Sequence, residues 1–198
     1  MAVSRALDFP VLVRVGDASH REILSAIDCG AVGIVAPHIE TLSQAEELAK
    51  AARFGLGGRG YAGSTRWAGY ATKKMPDLLA QSQDETVVIA QIEEPAAVEI
   101  ADSIARIEGI DGLFAGPADL SVGMGYKNQD SNELKAALKK VGVAAKENGK
   151  GYASFIGDAD QAKSWAEDYG VNMFFVGSEH SFMRNKANEI SLRVKEIS

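Results

Sequence analysis

Cysteine is nearly absent. Cys29 is alone among 198 residues, so no internal disulfide can form, and a reducing cytoplasm is the expected compartment. Long apolar runs are absent too. No stretch reaches the roughly 18 uncharged apolar residues that a membrane helix needs. The first ten residues, MAVSRALDFP, carry Arg5 and Asp8 where a signal peptide would have an apolar core. Positive charge is in deficit, with 21 Lys and Arg against 27 Asp and Glu, a net charge of -6 and a pI near 5.2. That argues against a nucleic-acid partner. No low-complexity segment or linker interrupts the chain. With 46% hydrophobic residues it has ample material for one core, and a single domain over residues 1–198 is expected.

What is present is an alternation. PVLVRV (Pro10 to Val15) reads as a strand and SHREILSAIDCG as a helix. A strand at about Val32 to Ala36 is followed by the helical TLSQAEELAKAARF. There Thr41 and Gln44 form a capping box, and Leu42, Ala45, Leu48, Ala49 and Ala52 line one face. TVVIAQIE, GLFAG, GYASF and NMFFVG are further strands, each followed by a helical pattern. Short apolar strands alternating with helices imply parallel βαβ units, and six are counted. A closed (β/α)8 barrel has eight units in about 250 residues. A doubly wound open sheet competes with it.

Polar residues at strand ends bear on function. In VVIAQIEEP, Ile89, Gln91 and Glu93 share one face, and Val88, Ala90 and Ile92 the other. The first face turns polar only at its C-terminal end, where parallel α/β folds keep their sites. Glu93 reads as a site carboxylate or as a solvated loop acid. In LFAGPADLSVG, Asp119 sits where the next strand hands over to a loop, at the same edge, as a second site carboxylate or a helix cap. Two neighbouring carboxylates repel unless protons or a cation lie between them, and oxygen ligands with open positions suit Mg²⁺ or Mn²⁺. Arg14, near the end of VLVRV, needs an anion or carbonyl partner. A small carboxylate substrate and a neighbouring acid both serve.

VLVRVGD, AIDCGAVGIVAPHIETLSQAEELAKAARF, GRGYAGS, QIEEP and GLFAGPADLS together resemble the HpcH/HpaI aldolase family of the pyruvate/phosphoenolpyruvate-binding barrel superfamily. The likeness covers nearly the whole chain. It implies a TIM-barrel fold, (β/α)8, with about six of the eight units in this chain. It also implies a divalent-metal-dependent aldolase that cleaves 4-hydroxy-2-oxo acids to pyruvate and an aldehyde. Glu93 and Asp119 would hold the metal, Mg²⁺ or Mn²⁺, with Co²⁺ also compatible. Gln91, Asp119 and the backbone at Ala118 would contact the 2-oxo acid, and Arg14 would polarise its carbonyl. Asp28 matches the family aspartate that supports a catalytic histidine. That histidine lies on the second barrel strand, whereas this chain resembles the family from the helix before the third strand onward. A homo-oligomer is expected, with no membrane or nucleic-acid partner.

Other readings follow from the same residues. A Schiff-base aldolase needs an inward lysine at a strand end, and Lys73, Lys74 and Lys150 are not so placed. GLGGRG follows a helix, so it fails the context of a dinucleotide loop. Arg59 and Arg66 read as ligands of an anionic substrate tail or, in preference, as solvated loop arginines. His20, His38 and His180 match no family motif, although His38 follows a strand end. Met183, Ala187, Ile190, Val194 and Ile197 form an apolar stripe on the last helix, suited to its own barrel or to a neighbouring subunit. A citryl- or malyl-type lyase and a non-catalytic remnant are the alternative functions.

Overall fold

Six short apolar runs become six parallel strands. The computed structural model describes residues 2–197, Arg5 by its backbone alone. The strands are β1 (Leu12–Arg14), β2 (Gly33–Ala36), β3 (Val87–Ile92), β4 (Gly112–Ala115), β5 (Gly151–Ile156) and β6 (Met173–Val176). They pair in chain order, β1-β2-β3-β4-β5-β6, every ladder parallel. The helices are α1 (Ala2–Ala6), α2 (His20–Asp28), α3 (Leu42–Ala51), α4 (Met75–Asp84), α5 (Pro95–Glu99), α6 (Ala101–Ala105), α7 (Pro117–Gly123), α8 (Asn132–Glu147), α9 (Ala162–Tyr169) and α10 (Glu179–Lys195). None of the described helices is long and apolar enough to cross a membrane.

Strand alternation decides the architecture. Ile34, Ala36, Val88, Ala90, Ile92, Leu113 and Ala115 join the helices in the main core. Val35, Ile89, Phe114 and Ala153 face the other way and form a small cluster of strand residues, flanked by the half-buried Leu12, Val87, Met173 and Phe175. Helices therefore cover one face while the sheet curls around the other. A doubly wound sheet would carry helices on both faces, so that alternative is set aside.

Local chemistry fixes the helix ends. Ser19 caps α2 by accepting from the Glu22 N–H. Thr41 and Gln44 make the expected capping box on α3. Ala45, Leu48, Ala49 and Ala52 are buried as expected, whereas Leu42, in the first turn, is exposed. Thr41→Ala should cost about 1 kcal/mol, readable as a shifted midpoint in urea unfolding with an unchanged slope.

Just past α3, Arg53 ties the starts of two strands together. Its Nη1 donates to the Gly109 carbonyl at 2.5 Å. Its Nη2 donates to the Thr86 carbonyl at 2.9 Å and to Asp111 Oδ2 at 2.8 Å. At the other extreme, α10 has no buried residue. Met183, Ile190 and Val194 of the expected stripe, and Ile197 just beyond the helix, are exposed.

Candidate active site

β3 delivers two polar groups to its C-terminal end. Gln91 and Glu93 continue the face of Ile89, which belongs to the concave cluster. Glu93 is only 3% exposed. Its Oε1 accepts from Gln91 Nε2 at 2.6 Å, and its Oε2 accepts from the His38 backbone N–H at 3.1 Å. The neighbouring N–H of Ile39 donates to the Gln91 carbonyl at 3.3 Å. The turn after β2 is thus strapped across the end of β3. His38 makes that turn in the left-handed region, φ 54°, which is uncommon for a residue with a β carbon.

β4 delivers the second carboxylate through a helix start. Gly116 is the N-cap of α7 and Pro117 opens its first turn, where a missing N–H costs nothing. Asp119 therefore lies inside the first turn of a helix. This corrects the expectation of a strand-to-loop position: the proline that seemed to end the strand starts α7. Gly116 is bonded through its N–H to the Ile92 carbonyl at 3.1 Å. A β carbon there would lie 3.1 Å from Glu93 Cγ, 3.5 Å from Glu93 Oε1 and 3.3 Å from Asp119 Oδ2. The glycine keeps a gap between the two acids. The Ala118 N–H belongs to the same first turn, whose amides have no intrahelical acceptor.

The charge in this gap is uncompensated. Among the described residues no lysine or arginine pairs with Glu93; its partners are the Gln91 amide, the His38 N–H and the His38 ring. A buried carboxylate without a cation is costly. Gln91 is itself buried, and its Oε1 has no hydrogen-bond partner. Two carboxylates around an open gap, one of them buried without a counter-ion, fit a hard divalent cation.

Arg14 shares the concave face, in register with Val35. It is exposed, and its Nη1 donates to the Val15 carbonyl at 3.2 Å.

Asp28 is not brought to this edge. It ends α2, five residues before β2 begins, so it lies at the N-terminal edge of the sheet. The six-residue length of β3 separates the two ends, about 20 Å at about 3.3 Å per residue. Its carboxylate pairs at 2.5 Å with Arg59. Arg59 is no solvated loop arginine: its side chain is 0% exposed. Its guanidinium carbon lies 4.4 Å from the Phe54 ring centroid and 4.5 Å from that of Trp67. Burial pulls the Arg59 guanidinium below its usual range, and the Asp28 carboxylate opposes that shift. The Trp67 N–H closes the knot by donating to the Asp28 carbonyl at 3.4 Å.

Sequence reasoning passed over Gly116, and it set His38 aside as a loop or capping residue although it follows a strand end. GPAD marked the first only as a turn. His38 carried a signal in its place directly behind Pro37.

Comparison with known proteins identifies the family. The family model described as HpcH/HpaI aldolase/citrate lyase matches residues 1–185. A hydroxypyruvate/pyruvate aldolase of Delftia acidovorans is 34% identical over 172 residues, covering 83% of this chain and 61% of that protein. A 4-hydroxy-2-oxo-heptane-1,7-dioate aldolase of Escherichia coli is 31% identical over 178 residues, covering 87% and 66%. The chain thus spans less than two thirds of the length of these relatives. A solved HpcH/HpaI aldolase/citrate lyase family protein from Burkholderia cenocepacia superposes with a TM-score of 0.88 at 28% identity, covering 96% of this chain and 76% of the other. With the family model matched along nearly the whole chain and the two acids set at neighbouring strand ends, the chain belongs to the HpcH/HpaI aldolase/citrate lyase family.

Proposed function

We propose that this chain carries the 2-oxo-acid site of a divalent-metal-dependent aldolase that cleaves 4-hydroxy-2-oxo acids to pyruvate and an aldehyde. The observation that carries the reading is the gap at Gly116 between the buried Glu93 and the exposed Asp119. In this reading the six strands are six units of a (β/α)8 barrel, and the exposed apolar residues of α10 belong to contacts within a homo-oligomer.

Glu93 and Asp119 would hold Mg²⁺, Mn²⁺ or Co²⁺. When bound, such an ion supplies Lewis acidity toward a 2-oxo acid. The Gln91 amide fixes the Glu93 rotamer through the 2.6 Å bond, and its open Oε1 offers an acceptor to a bound hydroxyl or water. The Ala118 N–H is available to the substrate carboxylate. Arg14 holds a permanent positive charge on the concave face, where it favours the negative charge that grows on the keto oxygen as the carbon–carbon bond breaks.

The test is a Mn²⁺ titration of metal-free protein by calorimetry, on the wild type, Glu93→Gln and Asp119→Asn. Each substitution is expected to weaken binding at least tenfold, about 1.4 kcal/mol. Any pyruvate release from a 4-hydroxy-2-oxo acid, followed by a coupled dehydrogenase, should stop on chelation and return with Mn²⁺. Unchanged affinity in both variants, or turnover that survives chelation, would overturn the proposal.

A further inference from the structure

We infer that this site takes 4-hydroxy-2-oxo acids whose aldehyde half is uncharged, monocarboxylates in preference to dicarboxylates. The inference rests on the Gly116 gap as the 2-oxo-acid site and adds the charge class of the other half of the substrate.

Parallel strands put every strand-to-helix turn at the edge where Glu93 and Asp119 lie. Between the end of each strand and the start of the next α-helix, these turns hold Asp17, Glu40, Glu93, Glu94, Asp158 and Asp160. They hold no lysine and no arginine. Across the six strands and these turns, Arg14 is the one lysine or arginine. His38 adds no free positive charge. Its Nδ1 already stands 3.4 Å from Glu93 Oε2 and 3.9 Å from Glu94 Oε1.

The arginines that an anionic substrate tail could use lie at the opposite edge. Arg53 and Arg59 pair there with Asp111 and Asp28. Arg66 adjoins Trp67, whose N–H is bonded to the Asp28 carbonyl. Lys150, just before β5, donates to the Ile110 carbonyl at 2.7 Å.

Charge matching at the gap leaves nothing for a second anion. A divalent ion is balanced by Glu93 and Asp119, and Arg14 is committed to the 2-oxo group. Beyond them stand Glu40 and Glu94, which flank His38 with one side-chain atom of each of the three within 4.8 Å of the others. A carboxylate on the aldehyde half would meet like charge without a partner, whereas an uncharged group meets no such repulsion. Glu40 is exposed and Glu94 half-buried. Their effect is therefore a difference in affinity that salt screens, and not a steric block.

The experiment compares 2-oxopentanoate with 2-oxopentanedioate, two acids of equal chain length that differ only in a terminal methyl against a terminal carboxylate. Each is titrated by calorimetry into the Mn²⁺-loaded full chain, with pyruvate as reference. The monoacid should bind about tenfold tighter at about 0.01 M salt, where the screening length is about 30 Å. The preference should shrink to about threefold or less at about 1 M salt, where that length is about 3 Å. Glu40→Lys and Glu94→Lys should each bring the two low-salt affinities closer by at least about threefold. Glu108→Lys makes the same charge reversal at the exposed N-terminal edge and should leave the ratio in place. A diacid bound as tightly as the monoacid by the wild type would overturn the inference. So would a ratio that ignores both Glu40→Lys and Glu94→Lys, or one that Glu108→Lys moves equally. If neither acid nor pyruvate binds, the reading of the Gly116 gap falls and this inference with it; pyruvate binding without discrimination between the two acids sinks this inference alone.

Discussion

Gly116→Ala is expected to lower divalent-cation affinity by about a hundredfold, some 2.7 kcal/mol, with the fold retained. The backbone at Gly116, φ -90° and ψ 93°, is open to any residue, so strain is not the cause. The added methyl meets Glu93 Cγ at 3.1 Å and Asp119 Oδ2 at 3.3 Å. Asp119 is exposed and can turn aside. Glu93 cannot, because Gln91 and the His38 N–H pin both of its oxygens. The methyl therefore occupies the space an ion would share with the two acids, and overpacking of this kind costs about 1–3 kcal/mol. Mn²⁺ calorimetry beside thermal unfolding separates the two effects. Wild-type affinity in Gly116→Ala would mean that the acids do not share one ion across this gap.

Asp28→Ala is expected to cost about 3–5 kcal/mol of stability, the usual penalty for stranding one member of a buried ion pair. The stranded group is Arg59, fully buried with Nε and Nη1 already lacking hydrogen-bond partners. Arg59→Met should cost less, about 1–2 kcal/mol, at the low end for an unpaired polar group near solvent. Asp28 keeps 25% of its side chain exposed and can rehydrate, and methionine packs well between Phe54 and Trp67. Equilibrium urea unfolding of both variants measures this asymmetry. The family resemblance assigns Asp28 to catalysis, and the same experiment tests that assignment. A variant as stable as the wild type that has lost turnover would make Asp28 catalytic, whereas lost stability with intact Mn²⁺ affinity makes it an anchor.

Much of the site was legible because it rests on short-range periodicity. The two-residue repeat in VVIAQIE put Gln91 and Glu93 on the face of Ile89; Ile89 lies in the concave cluster, and Gln91 and Glu93 are hydrogen-bonded to each other. The Thr41–Gln44 box was readable from four residues and formed as expected. Asp119 was located at the correct edge but in the wrong element, since proline both ends strands and begins helices. Asp28 and Arg59 were not legible as a pair. They stand 31 residues apart, and Arg59 lies in a glycine-rich loop with no periodicity to announce its burial. His38 was legible only as a residue at a strand end: a left-handed turn places its ring, and no side-chain pattern encodes that turn.

Strand order sets where this molecule opens first. Each strand pairs with its sequence neighbour, so the sheet is nearly one-dimensional, and its stability resembles a sum of unit and nearest-neighbour terms. Taken as these six strands alone, such a ladder frays from its ends. β1 has three residues, and β6 and α10 contain no buried residue, so those margins open at low free energy while the interior stays closed. β3 and β4 are flanked by a strand on each side. Glu93, Gly116 and Asp119 hang from that protected middle and keep their spacing through fluctuations that unzip either margin.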